Sequence, residues 1–230
     1  MFLNSEGDLI GSNAGYSPPD QFSELMQKVL KRENELKRLK TEIQKNPNDL
    51  KVNADLAMVY IERGKQGKQE NLEKGKTLID KILALDPNNQ FKLLPQVYVE
   101  MALAHVSQDN IKEGEVWFGK VSALDLKKDE VAYLPKLHVS FGLFYGQNAE
   151  RQGNEDYFQK AEGHFKAVIE KYPQSELYEG AQLYLGIVYA IQEKNRRARL
   201  LLEKLRNHTK NDAIQKRASG LLETLENQAE

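Results

Sequence analysis

The chain has 230 residues, enough for one large domain or two small ones at ~150 residues per domain. Its apolar share of 40% plus 15 glycines is that of a folded globular protein, so wholesale disorder is ruled out. Lys and Arg number 33 against 34 Asp and Glu, leaving no global field to recruit nucleic acid or anionic lipid, and the absence of cysteine removes thiol catalysis, disulfides, thiolate zinc and iron–sulfur ligation together. No stretch approaches 18 uncharged apolar residues, and the N-terminus lacks a basic region followed by an apolar run. The expectation is therefore a soluble protein without membrane span or signal peptide, with cytoplasm and bacterial periplasm equally open.

Residues 1–19 differ in kind from the rest. Phe2-Leu3-Asn4, Ser5-Glu6-Gly7-Asp8 and Leu9-Ile10-Gly11 read as a short β-hairpin followed by a turn. Ser17-Pro18-Pro19-Asp20 then supplies a hydroxyl cap, prolines in a first turn where no N–H is missed, and a carboxylate, so a long helix is predicted over 20–46. Phe22, Leu25, Met26, Val29, Leu30, Leu36, Leu39 and Ile43 keep a helical spacing along it, up to the stop at Asn46-Pro47.

Beyond Pro47 apolar residues recur at three and four through blocks of twelve to twenty residues, which predicts helices throughout. A fixed pattern repeats within them. A large and a small residue are followed three positions later by a ring in Leu56-Ala57/Tyr60, Met101-Ala102/His105, Phe141-Gly142/Tyr145 and Leu185-Gly186/Tyr189. Between these fall a second series, Gly75/Ile79/Ile82, Gly114/Phe118/Val121, Ala161/Phe165/Val168 and Ala198/Leu202/Leu205, each followed by a helix stop. The small residues let two helix axes approach, and the large ones fill the gap beside them.

This pattern resembles the tetratricopeptide-repeat (TPR) family, over about residues 48–212. The resemblance implies an all-α fold: a right-handed TPR helical-repeat solenoid of about four helix-turn-helix units over 47–212 and a capping helix over 213–230, after the short N-terminal β-hairpin and long helix. The distance between small residues is 12 in the second and fourth units but 18 and 19 in the first and third. That difference predicts longer turns near Lys65–Glu70 and Gln147–Asp156. His105 and Lys210 stand where the family prefers Tyr and Pro. The first thirty residues, Phe2-Leu3-Asn4-Ser5-Glu6-Gly7-Asp8 and Gly15-Tyr16-Ser17-Pro18-Pro19-Asp20-Gln21-Phe22, resemble the last hairpin and helix of a thioredoxin-like domain. That implies a chain beginning inside such a domain, whose redox cysteines and cis-proline loop lie outside it, so none of that activity carries over.

No catalytic constellation emerges. His105, His138, His164 and His208 are at least 26 residues apart, with none at metal-ligand spacing from another, so His105 reads as a packing ring and the others as residues of solvated or half-buried faces. There is no phosphate-binding loop, no nucleophile elbow and no singled-out carboxylate pair, so no catalytic, cofactor or metal residue is assigned and no enzyme activity is expected. Lys194, Arg196, Arg197, Arg199, Lys204, Arg206, Lys210, Lys216 and Arg217 face only Glu203 and Asp212 between 194 and 217. A nucleic-acid stripe would interleave exposed aromatics with these charges, and this stretch has none, so a solvated helix face is the better reading.

The first helices carry more apolar residues than one buried side needs, as in Leu183-Tyr184-Leu185-Gly186-Ile187-Val188-Tyr189-Ala190-Ile191. In a TPR array the first helices line the concave face, and helical phase assigns to it Met58, Ile61, Val99, Leu103, Val106, Val139, Leu143, Leu183, Ile187 and Ile191. Several hundred Å² of such surface, at ~25 cal/mol per Å², gives on the order of 10 kcal/mol in favour of covering it. The expected function is a protein-interaction scaffold holding an apolar or amphipathic segment of a partner, with neither membrane nor nucleic acid involved. The alternatives are occupation by the chain's own helix 20–45 or by a second copy, simple core packing, homodimerisation through the hairpin and first helix, and a partner-binding appendage of a thioredoxin-like oxidoreductase. Carboxylate clamping of a peptide terminus needs Lys, Arg and Asn at these positions and is rejected.

Overall fold

The computed structural model describes residues 2–3, 9–11, 15–65, 67–126 and 130–227. Two short strands open the chain, β1 (Phe2–Leu3) and β2 (Leu9–Gly11), paired antiparallel with Phe2 opposite Gly11 and Leu3 opposite Leu9. The turn of the expected hairpin, residues 4–8, lies outside the described residues. Ten helices follow among the described residues: α1 (Pro19–Lys45), α2 (Leu50–Gly64), α3 (Gln69–Leu85), α4 (Leu94–Ser107), α5 (Ile111–Ser122), α6 (Leu134–Gln152), α7 (Glu155–Lys171), α8 (Tyr178–Ile191), α9 (Asn195–His208) and α10 (Asp212–Asn227). A 3₁₀ turn, Glu130–Tyr133, precedes α6. The fold class is all-α.

The chain forms two compact units, the first of Met1–Gln108 with Val116–Val121 and the second of Asp109–Glu115 with Ser122–Glu230. In the first unit Pro19 opens α1, and Pro18 holds the cap position, its carbonyl accepting the Phe22 N–H at 2.9 Å. Pro47 ends α1 as predicted. Asp49 caps α2 by accepting the Val52 N–H at 3.0 Å, and buried Asn53 donates to the carbonyls of Pro47 and Asp49, which fixes the α1–α2 turn. Leu36 and Leu39 of α1 pack on Leu56, with Val52, Val59, Tyr60 and Leu78 around them. Buried Glu33 joins this layer through an ion pair with Arg63. The stretch Leu85-Asp86-Pro87 ends α3 by a specific device. The Asp86 carboxylate is buried and accepts the N–H groups of Gln90 and Phe91 at 2.8 and 2.9 Å, while Asn89 caps α4 through Leu94 N–H.

In the second unit α6 and α7 run antiparallel: His138 meets Tyr172 at one end of the pair, Gly142 meets Phe165 in the middle, and Gly146 approaches Ala161 further on. Gly142 is the close-approach point, since a Cβ there would lie 2.8 Å from the Phe165 ring. Gly186 and Leu202 repeat the arrangement between α8 and α9, at 2.7 Å. These are the small and large positions of the sequence pattern, and they interlock as sterics requires. The structure has no long turn near Gln147–Asp156. Here α6 continues to Gln152 and α7 begins at Glu155, joined only by Gly153, in the left-handed region at φ +62°, and Asn154. The seven extra residues lie in longer helices, about one added turn on each of the two. The corresponding turn of the first unit spans 65–68, with Gln66 outside the described residues.

Candidate functional site

The ten residues assigned to a concave face separate by burial. In the first unit Ile61, Val99 and Leu103 are buried, while Met58 and Val106 are half-buried. The helix α4 is buried on nearly every side, from Leu94 through His105, so its apolar surplus is core. The layer formed by α1 rests on Val52, Leu56, Val59 and Tyr60, the face of α2 roughly opposite Met58 and Ile61. Within the first unit the chain's own first helix therefore does not lie on the face of α2 that bears Met58 and Ile61.

In the second unit Leu183 is buried, Val139, Leu143 and Ile187 are half-buried, and Ile191 is exposed. Three of these five come together. Leu143 on α6 faces Ile187 and Ile191 on α8 across a trough of about 170 Å³, floored by Gly146 and Val188 and closed at one end by Tyr184 over Phe165. Gly146 makes the trough: a Cβ at this position would sit 3.5 Å from Val188, so α6 and α8 lie close with no side chain between them. The two helices run in the same direction, because Gly142 reaches Tyr184 through Phe165 and Gly146 touches Val188 one turn later on both helices. The lining is apolar apart from Gln147 and Glu150 at the far end.

A second cluster in this unit was not foreseen from the sequence. His138 on α6 and His164 on α7 place their Nδ1 atoms 3.0 Å apart, in a shell of rings. Tyr145 stacks on His164 with 5.8 Å between centroids, Phe141 lies 5.3 Å from it, and Tyr172 lies 6.2 Å from His138. One ring donates Nδ1–H to the other, so at most one proton occupies the contact. Burial, helped by Lys171, lowers the pKa of His138 to about 4. For His164 burial again leads, then His138 and Lys160, against the opposing pull of Glu115, and the result is also about 4. Above the cluster the Tyr145 hydroxyl donates to Glu115, which also accepts Lys160 at 2.6 Å. Burial and then that hydrogen bond push the Tyr145 phenol far above its usual range. Burial works against the Glu115 carboxylate, but Lys160 and Tyr145 outweigh it and hold Glu115 below the usual carboxylate range.

The two imidazoles satisfy each other, and among the described residues no group of three or more His, Asp or Glu is gathered as for a metal ion. Two rings alone fall short of the three or four protein ligands of a zinc site. His105 is buried at the ring position of its repeat, and His208 is exposed at the end of α9. The basic stretch covers α9 and the start of α10. Arg199 donates to the Leu225 carbonyl at 2.7 Å, Arg197 lies over the Tyr189 ring and Arg217 over the Tyr184 ring. No helix among the described residues is long and apolar enough to cross a membrane. No protein-family model matches the chain, and no curated protein sequence matches it.

Proposed function

We propose that the chain is a non-catalytic interaction scaffold, a TPR-like array of helix pairs whose second unit holds the apolar face of a helical segment from a partner protein. The observation that supports this reading is the trough between α6 and α8. Leu143, Ile187 and Ile191 line it at 37% exposure in the case of Ile191, while the equivalent surplus on α4 is sealed. An apolar furrow bounded by two parallel helices, with glycine in its floor, has the shape of a helix-in-groove site. The interlock of Gly142 with Phe165 and of Gly186 with Leu202 is the packing that a TPR-type unit uses, and it supports the array reading.

The test is calorimetric titration of the full chain with a 16-residue peptide carrying Leu at i, i+3, i+4 and i+7 and Gln elsewhere. Binding is expected for the unmodified chain and is expected to be lost in Leu143→Asp and Ile187→Asp, with the helical circular dichroism spectrum retained. Equal binding by both variants would refute the assignment.

A further inference from the structure

The imidazole pair and the trough share one seam between α6 and α7. His138 lies one turn before Gly142 on α6, and His164 directly precedes Phe165 on α7, so the pair and the Gly142–Phe165 interlock are consecutive layers of that seam. Phe165 is buried, lines the trough and stacks on Tyr184 at 5.8 Å between centroids, closing one end. That end wall keeps its shape only while α6 and α7 stay close enough for the Phe165 ring to sit on the bare Gly142 backbone. The pair accommodates one added proton but not two. With the Nδ1 atoms 3.0 Å apart, a first proton can enter at Nε2 of the donor ring and leave the contact whole. A second puts N–H on both Nδ1 atoms, leaves no lone pair between them and sets two cations against each other. Among the described residues, the charged and titratable groups facing the pair are Glu115 from α5, Tyr145 from α6, and Lys160, Lys171 and Tyr172 from α7 and its C-cap, with Tyr157 behind Tyr145. Burial opposes the added charge most, Lys160 and Lys171 oppose it too, and Glu115 favours it.

We propose that the His138–His164 pair is an acid-operated gate on the trough: uptake of the second proton parts α6 from α7, unseats Phe165 from Gly142 and releases the helix held between α6 and α8. This inference rests on the reading of the trough as a helix groove. The gate works by linkage. In the closed state both rings have a pKa of about 4, and in the parted state each regains its ordinary 6.5. At pH 5.0 the parting equilibrium therefore rises by ~30-fold per ring, with a ceiling of ~10³ for the two together. At pH 7.5 both rings are neutral in either state and protons exert no pull on the seam.

The experiment is calorimetric titration of the full chain at pH 7.5 and pH 5.0 with the 16-residue Leu/Gln peptide, acetylated and amidated so that it carries no titratable group. The unmodified chain is expected to bind at least about threefold more weakly at pH 5.0 with its helical circular dichroism retained, and the double variant His138→Phe/His164→Phe to change by less than about 1.5-fold. Reciprocity supplies a second readout that needs no variant. If protons release the peptide, the peptide releases protons: about one or more per peptide bound at pH 5.0 and close to none at pH 7.5, read from the dependence of the binding enthalpy on the ionisation enthalpy of the buffer. An equal change of affinity in both chains, or no proton release at pH 5.0, would overturn the gate and leave the groove reading standing. Weaker binding at pH 5.0 together with loss of the helical spectrum would show acid unfolding in place of a gate and overturn it as well. Absence of binding at pH 7.5 would overturn both readings.

Discussion

Acid should weaken the second unit through the His138–His164 pair before its carboxylates titrate. In the folded chain both rings have a pKa of about 4, against an ordinary 6.5. Above pH 6.5 the rings are neutral in folded and unfolded chains alike and contribute no pH dependence. Between 6.5 and 4 the unfolded chain takes up protons that the folded one refuses, so stability falls as pH falls, and the loss levels off below about 4. At pH 5 each ring contributes about 2 kcal/mol of this loss, and the pair about 4 kcal/mol. Burial sets most of the size, with Lys171 and Lys160 also opposing protonation of the pair and Glu115 favouring it. The assay is urea unfolding followed by circular dichroism at pH 7.5 and pH 5.0, for the unmodified chain and for the double variant His138→Phe/His164→Phe. Comparing the two chains cancels the carboxylates. The unmodified chain should lose about 4 kcal/mol more than the double variant over that interval. An equal loss in both would show that the rings take up protons freely when folded, and would refute the buried neutral pair.

Two helical glycines of the second unit should respond in opposite directions. In Gly186→Ala the new methyl meets Leu202 at 2.7 Å, so unfolding experiments should show a loss of about 1–3 kcal/mol. In Gly163→Ala, on the open face of α7 where a Cβ meets nothing within 4 Å, the same assay should show a gain of about 0.5–1 kcal/mol. Asp86→Ala leaves the Gln90 and Phe91 N–H groups without their acceptor and should lower the urea midpoint by the equivalent of about 1–3 kcal/mol, whereas Asp80→Ala, exposed on the same helix, should change it by less than about 0.5 kcal/mol. Tyr145→Phe should remove the Glu115 hydrogen bond at a cost of about 1 kcal/mol while keeping the ring stack on His164, seen as an unchanged near-ultraviolet spectrum.

Local signals carried much of the architecture into the sequence. Pro47 and Pro87 ended helices, Asp86 marked a turn that its buried carboxylate builds, and Gly142 and Gly186 announced contacts that Phe165 and Leu202 complete. The spacing of 19 between Gly142 and Ala161 was ambiguous in kind, because seven residues fit a longer loop as well as one more turn on each of two helices. Gly153 followed by Asn154, a left-handed helix end and a cap, is the signal that decides for the helices. The apolar surplus of the first helices was legible, but its direction was not. Helical phase cannot distinguish a residue facing solvent from one facing the next helix, which is why Ile61, Val99, Leu103 and Leu183 are core while Leu143, Ile187 and Ile191 line an open trough. The histidine pair was hidden by its 26-residue separation. Its signal was the register itself, since the Gly142–Phe165 contact places one turn of α6, bearing His138, beside the residue that precedes Phe165.

Whether the α6–α8 trough receives the apolar face of a helix is read out by methyl-detected NMR of the full chain, titrated with the Leu-striped peptide. Saturable shifts of the Leu143, Ile187 and Ile191 methyls are expected, with Ile79 and Ile82 in the core of the first unit unmoved. Shifts confined to other methyls, or no shifts at peptide concentrations that saturate the calorimetric signal, would contradict it.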